Sequence, residues 1–350
     1  MEFGVFMPNG SNGYVISKAI GSYAPTYKHQ RSIAIEAERQ QFSFLLPMIK
    51  FRGFGGATGY WDECLEPFTL VGALAAEIKN LLFVPTIGML AVHPAYTARM
   101  MSTLSNISEG RVGLNVVTGW NRPEYEQMGL WPGELYYKHR YDFATEYLNI
   151  LNDLWVNGKS SRKSKFWQLE DCSCLPTPDH DIPIFSAGQS PSGIKFCEVH
   201  ATNRIVFGHP QVLKKLNEDK ESRIKRSYGT VLLFHIITGK TDSDAFRVGQ
   251  DIIRQADLEA ISNQIRSASY DTNKGGTSEA HLSSLEKKLE EGNAAFNIIP
   301  VIYGTPKTVA IKINEIIDQT KPDGFMFSWN DFEIGIKTFG QEIRPLLKND

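Results

Sequence analysis

This chain lacks any apolar run of the roughly 18 residues that a membrane-spanning helix requires. It also lacks a charge bias: 37 Lys and Arg stand against 39 Asp and Glu, a formal net charge of −2. No electrostatic footprint for nucleic acid or an anionic membrane is therefore present. Cysteine is scarce. Cys64, Cys172, Cys174 and Cys197 form no C-x-x-C and have no histidine pair at ligand spacing, so no metal site is expected. Cys172 and Cys174 read instead as two buried or loop thiols. Met1-Glu2-Phe3-Gly4-Val5 carries neither a basic leader nor a small-residue cleavage site. A reduced, cytoplasmic protein is the expectation. Catalytic motifs are missing too. There is no nucleophile elbow with a Ser–His–Asp order, which leaves a hydrolase little support. Arg52-Gly53-Phe54-Gly55-Gly56-Ala57-Thr58-Gly59 is glycine-rich but fits neither the dinucleotide nor the P-loop fingerprint, and reads as a flexible lid.

What is present is a large apolar complement, 42% of 350 residues, enough for one large barrel or two domains. Strand-like runs at Phe3–Met7, Phe44–Ile49, Leu82–Ile87, Val112–Val117, Ile182–Ala187, Arg204–Phe207, Val231–Ile237 and Gly324–Ser328 recur along the chain. Helical periodicity marks His29–Gln41, Pro67–Lys79, Pro94–Ile107, Arg140–Val156, Thr305–Thr320 and Asn330–Leu347. About eight β/α units predict an α/β fold, a single (β/α)8 TIM barrel with insertions at its C-terminal face. Such a barrel needs roughly 250 residues. The surplus is placed at Lys50–Glu66, Gly119–His139, Asn157–Asp181 and Asp242–Pro300, the last including a polar stretch, Tyr270–Glu279, read as a mobile lid or an excursion between helices. No repeat or linker divides the chain, so one domain over residues 1–350 is expected.

Chemistry is sought where strands end. Val112–Val117 is apolar except for Asn115, whose buried amide must find partners. It opens into Thr118-Gly119-Trp120 and the acidic-aromatic Glu124-Tyr125-Glu126. Ile184-Phe185-Ser186-Ala187-Gly188-Gln189-Ser190 runs into a helix start, either an anion site suited to a phosphate monoester or simply a capped helix. Arg140 and Tyr141 open a helix, and an Arg there opposes the dipole, so an anionic partner is expected. Lys50 ends the second strand, as a surface residue or a substrate-facing donor. Thr86 is expected to point toward Asn115. His93 and His235 read as a cap and a core histidine.

The run Gly110–Gly129, G-R-V-G-L-N-V-V-T-G-W-N-R-P-E-Y-E-Q-M-G, resembles the signature of the bacterial-luciferase-like, flavin-dependent monooxygenases. Met48–Gly56 (M-I-K-F-R-G-F-G-G), Trp131–Asp142, Ala187–Ser190 and Asn330–Leu346 are similar to the branch that oxidises pyrimidines. The resemblance implies a barrel binding reduced FMN, with Ile49, Lys50, Asn115, Glu124, Arg140, Tyr141, Gly188 and Ser190 around the flavin. It implies Thr86, Asn115 and Trp120 as the oxygen pocket, with Lys50 and Glu124 holding a polar ring. The implied reaction uses O2 to open a uracil-like ring to a ureidoacrylate-type product. Because no second nucleotide motif is visible, a separate NAD(P)H:flavin reductase is expected. The resemblance also implies a homo-oligomer, as does a helix such as Tyr141–Leu154 with more apolar surface than one barrel covers. His93 and Ser328-Trp329-Asn330 depart from the branch, which keeps another small heterocycle, an amide or an organosulfur compound in view. A flavin carrier without turnover is a further alternative.

Overall fold

Alternating apolar and amphipathic segments become strands and covering helices in the computed structural model, which describes residues 1–21, 23–219, 227–272 and 293–348. Among the described residues ten strands form one curled sheet in which every strand pairing is parallel. Its order runs Leu82–Phe83, Phe44–Pro47, Glu2–Met7, Gly324–Trp329, Gly229–Thr238, Asn203–Phe207, Ile184–Ser186, Leu114–Val117, Thr86–Gly88; Val301–Gly304 adds to Gly229–Thr238. Phe44–Pro47 and Gly324–Trp329 are buried throughout, as strands covered on both faces must be. Phe3, in register with Phe325, stacks its ring on Phe325 and Phe327 at 6.3 and 6.4 Å.

Helix starts are written plainly in the sequence. Glu66, His93, Ser190 and Thr305 each cap a helix whose first residue is proline, where a missing N–H costs nothing. Glu66 accepts from Phe68 N and Thr69 N at 2.9 and 2.6 Å.

Several elements differ from the sequence reading. The Leu82–Ile87 strand is two pieces separated by Val84-Pro85, and the two ends of the sheet order are therefore consecutive in the chain. Pro85 has no N–H, so pairing changes partner there: Val84 N donates to Leu45 O at 2.8 Å, and Asn115 N donates to Pro85 O at 3.0 Å. The Arg140–Val156 helix begins earlier, at Leu135, because Tyr136 and Tyr137 bury their rings beside Trp131. The Asn330–Leu347 helix breaks into Phe332–Thr338, a wide turn at Phe339–Ile343 and a tight one at Arg344–Leu346. Pro345 cannot continue the ladder, and Arg344 turns back to Gln40 O and Gln41 O at 2.9 and 2.6 Å. Val301–Gly304, just beyond the expected insertion, was not anticipated as a strand. Within the insertions lie Arg122–Glu126, a hairpin of Lys159–Ser160 and Cys172–Ser173, and the helices Asp242–Arg254 and Leu258–Ser269. Of the stretch Tyr270–Glu279, residues 273–279 lie outside the described residues. All four cysteines are free, and among the described residues no helix is long and apolar enough to cross a membrane.

Candidate active site

The strand ends Phe44–Pro47, Thr86–Gly88 and Leu114–Val117 deliver Ile49, Lys50, Thr86, Asn115, Trp120 and Glu124 to one cavity of about 200 Å³. Thr86 and Asn115 are register partners in the sheet. Thr86 Oγ1 donates to Pro47 O at 2.7 Å and accepts from Asn115 Nδ2 at 2.9 Å. Asn115 Oδ1 is buried without a hydrogen-bond partner, so this amide keeps an acceptor for a ligand.

Lys50 and Glu124 form an ion pair at 2.7 Å, their side chains only 4% and 8% exposed. Glu124 Oε1 also accepts from Phe51 N at 3.3 Å. The ammonium lies 4.4 Å from the Phe54 ring centroid and 5.5–5.6 Å from those of Trp120 and Trp61. Lys50 is therefore no surface residue. Asn9 fixes the segment that carries it, accepting from Met48 N at 2.9 Å and donating to Met48 O and Leu65 O at 2.8 Å. Burial pushes the neighbouring Cys64 thiol up to about 12. Burial, then the nearby Glu124, holds the Tyr125 hydroxyl well above its usual range. Neither is a proton donor or nucleophile of use near neutral pH.

The Arg52–Gly59 segment is tied down rather than loose. Phe54 N donates to Tyr60 O and Tyr60 N donates to Gly55 O, Asp62 Oδ1 accepts from Gly55 N, and Gly55, Gly56 and Gly59 supply positive φ for the turn. Thr58 donates twice to the buried Asp257 carboxylate, from N at 2.7 Å and Oγ1 at 2.8 Å.

A second cavity of about 170 Å³ adjoins the first and shares Val117, Trp120, Ala187 and Phe207 with it. Arg140, Tyr141 and Gly188 line it. Ser190 caps the helix Pro191–His200, its hydroxyl accepting from Gly193 N at 3.1 Å. A Cβ on Gly188 would meet Gly193 O at 2.6 Å, and one on Gly193 would meet the Tyr141 hydroxyl at 2.5 Å, so these glycines let loop, helix start and tyrosine close up. Gln189 Nε2 and Arg140 Nε are buried donors without partners. Arg140 sits one turn into its helix, not at its first turn, and its anionic partner is Asp271, 2.6 Å away, both buried.

The remaining sequence candidates lie elsewhere. His93 Nδ1 accepts from Ala95 N at 3.2 Å as a helix cap beside Trp167. His235 is fully buried, bonded through Nδ1 to Ser328 Oγ at 2.9 Å, and burial lowers it to about 3. Trp329 packs between sheet and helices against Phe42 and Phe332. The sequence reading missed Gln264 and Asn297, which also face the first cavity. Gln264 interrupts the buried face Ala260, Ile261, Ser267, Ala268 of its helix, the same signal that singled out Asn115.

A family model described as luciferase-like monooxygenase matches residues 1–321. The chain is 38% identical over 357 aligned positions to a protein named pyrimidine monooxygenase RutA from Serratia proteamaculans (strain 568), covering 100% of this chain and 96% of that one. Among solved structures it is similar to a riboflavin lyase (RcaE) determined with modified FMN and riboflavin. That match has a TM-score of 0.84 at 20% identity, covering 99% of this chain and 91% of that one. The EDTA monooxygenase EmoA from Chelativorans sp. BNC1 matches with a TM-score of 0.80 at 17% identity, over 99% and 93% of the two chains.

Proposed function

The chain belongs to the luciferase-like monooxygenases, flavin-dependent enzymes, and from that premise we propose that it uses reduced FMN and O2 to open a uracil-like pyrimidine ring. The observation that carries the reading is the pair of adjoining cavities: one reaches Gly188, two residues ahead of a capped helix start, and the other holds a buried, self-neutralised Lys50–Glu124 pair. The residues fit FMN. Gly188, Ser190, Arg140 and Tyr141 suit a phosphate, with the unpartnered Gln189 Nε2 and Arg140 Nε as spare donors. Ile49, Trp120 and Phe207 give apolar walls for a flat ring, and Asn115 Oδ1 an acceptor at its edge.

Bound there in reduced form, the flavin supplies two reducing equivalents to activate oxygen. The chain's own side chains orient and exclude water. Thr86 and Asn115 fix one another and hold the oxygen pocket with Trp120. Because Lys50 and Glu124 cancel each other's charge, the cavity accepts a neutral ring without stranding an ion. Lys50 retains ammonium N–H groups beyond the one given to Glu124, for a ring carbonyl. Uracil, O2 and the two electrons and two protons of one reduced flavin sum to a ureidoacrylate peroxy acid once C4–N3 breaks and N3 takes a proton. A second reducing pair yields ureidoacrylate and water.

His93 and Trp329, the departures from the pyrimidine branch, lie away from the cavity, which supports the pyrimidine substrate over an organosulfur compound or another heterocycle. We take the sheet, whose two end strands are consecutive in the chain, as a closed (β/α)8 barrel in one domain. Reduced FMN comes from a separate NAD(P)H:flavin reductase in the cytoplasm, and the protein works as at least a dimer. The test is a substrate panel with reduced FMN, oxygen and product detection by mass spectrometry. Oxygen-dependent loss of uracil is expected. Uracil and thymine left intact while a sulfonate or sulfone is oxidised would overturn the substrate.

A further inference from the structure

Three polar pairs face the larger cavity, and the third has no assigned part. Gln264 Nε2 donates to Asn297 Oδ1 at 2.6 Å, and both residues are buried. Unlike Lys50–Glu124, this pair is neutral. Unlike Thr86–Asn115, it sits on the covering segments rather than on the sheet, Gln264 on the helix Leu258–Ser269 and Asn297 just before the strand Val301–Gly304. Two primary amides joined by one hydrogen bond leave one carbonyl oxygen and one NH2 unspent, whichever of the two donates. Among the described residues neither side chain makes another hydrogen bond.

We propose that Gln264 and Asn297 form the edge that reads a cyclic lactam or imide, an N–H beside a C=O, in the substrate. The proposal rests on the pyrimidine reading and gives its specificity a location. A neutral acceptor–donor edge matches a lactam group for group and leaves the ring's protonation state alone, which a lone carboxylate or ammonium does not. Both amides are held in place. Asn297 has φ +51° and Ile298 φ +58°, with Asn297 N donating to Ala294 O at 3.2 Å. The helix carrying Gln264 starts at Asp257, which accepts from Ala260 N and holds Thr58, and its Asn263 donates to Phe54 O at 2.9 Å. The amide edge and the aromatic rings around Lys50 thus share one support.

The test compares wild type with Gln264→Met, which keeps length, and Asn297→Gly, which tolerates positive φ. Binding is followed by the absorbance change of oxidised FMN on the protein with uracil, 1-methyluracil, 3-methyluracil and 2-pyridone; steady-state turnover uses reduced FMN. Both variants should raise the uracil KM about tenfold to hundredfold with a much smaller change in kcat, since a lost buried pairing costs that much. They should also stop distinguishing uracil from the methyl derivative that wild type rejects, while their FMN affinity reports an intact fold. Variants that keep wild-type KM and selectivity, or lose kcat alone, overturn the amide edge and leave the pyrimidine reading standing. If wild type ignores uracil yet binds 2-pyridone through these amides, the pyrimidine reading falls and the edge stands. Wild type that binds none of the four overturns the inference.

Discussion

Arg140 has two claims on it, and they separate by mutation. Its guanidinium is 5% exposed and meets Asp271, whose side chain is fully buried. Arg140→Ala strands that carboxylate, which costs about 3–5 kcal/mol in comparable pairs. Denaturant unfolding should show this loss, and Arg140→Ala/Asp271→Ala should recover a large part of it. Affinity for FMN should not recover in the double variant, staying weaker by about tenfold or more as a charge-assisted bond to phosphate is lost. Riboflavin, without the phosphate, should bind wild type and double variant alike; equal wild-type affinity for FMN and riboflavin would remove the phosphate site. His235 sets a pH dependence of another kind. Burial depresses it to about 3 from an ordinary 6.5, so the native state stays neutral where the unfolded chain takes up a proton. Its stabilising contribution is complete above pH 6.5 and is lost as pH falls toward 3, with a slope approaching about 1.4 kcal/mol per pH unit. His235→Asn, measured by unfolding midpoints from pH 7 to pH 4, should flatten that limb relative to wild type. An unchanged slope would mean that other groups carry it.

Among the elements, the loop over the cavity and the helix Leu258–Ser269 behave as one unit through Asp257. Its carboxylate caps the helix and holds Thr58; burial opposes its ionisation, and the two Thr58 bonds and Ala260 N outweigh that and lower it. Asp257→Ala should destabilise by about 1–2 kcal/mol as a lost cap. It should also speed amide exchange at Phe54 and Tyr60, whose bonds close the loop; protection unchanged there would separate loop from helix. The sequence made these elements legible to different degrees. Cap-and-proline starts at Pro67, Pro94 and Thr305 placed helices to within a few residues, because the signal is local. The break at Pro85 and the collapse of the last helix at Phe339 were not legible, since each answers to a distant partner: Leu45 in one case, the carbonyls of Gln40 and Gln41 in the other. Ile49, Lys50, Thr86, Asn115, Trp120 and Glu124 were named from strand ends and resemblance, and they meet in one cavity. Gln264 and Asn297 escaped because both fall in Asp242–Pro300, read only as an insertion, and Asn297 owes its place to a positive φ that no spacing announces.

At the scale of the whole molecule, assembly is the open quantity. The stretch Tyr141–Leu154 was expected to leave an apolar face over, yet Tyr147, Leu148, Leu151 and Leu154 are buried within the chain. What stays exposed are Leu135 at 74%, Val156 at 69% and, on the adjoining helix Pro191–His200, Val199 at 68%. A dimer covering some of these should give twice the chain mass by light scattering at micromolar concentration and fall apart with Leu135→Glu or Val199→Glu; a monomer refutes it. The sheet order carries a different consequence, for synthesis. Glu2–Met7 leaves the ribosome long before Gly324–Trp329, which is one of its two neighbours in the sheet. At roughly 5–20 residues per second the wait is on the order of tens of seconds. Throughout it, one side of the first strand is an open template for any passing β-segment. Slowing translation anywhere between Met7 and Gly324 should therefore cost soluble protein in proportion to the delay, and supplying the missing neighbour in trans, as a peptide matching Gly324–Trp329, should recover part of it.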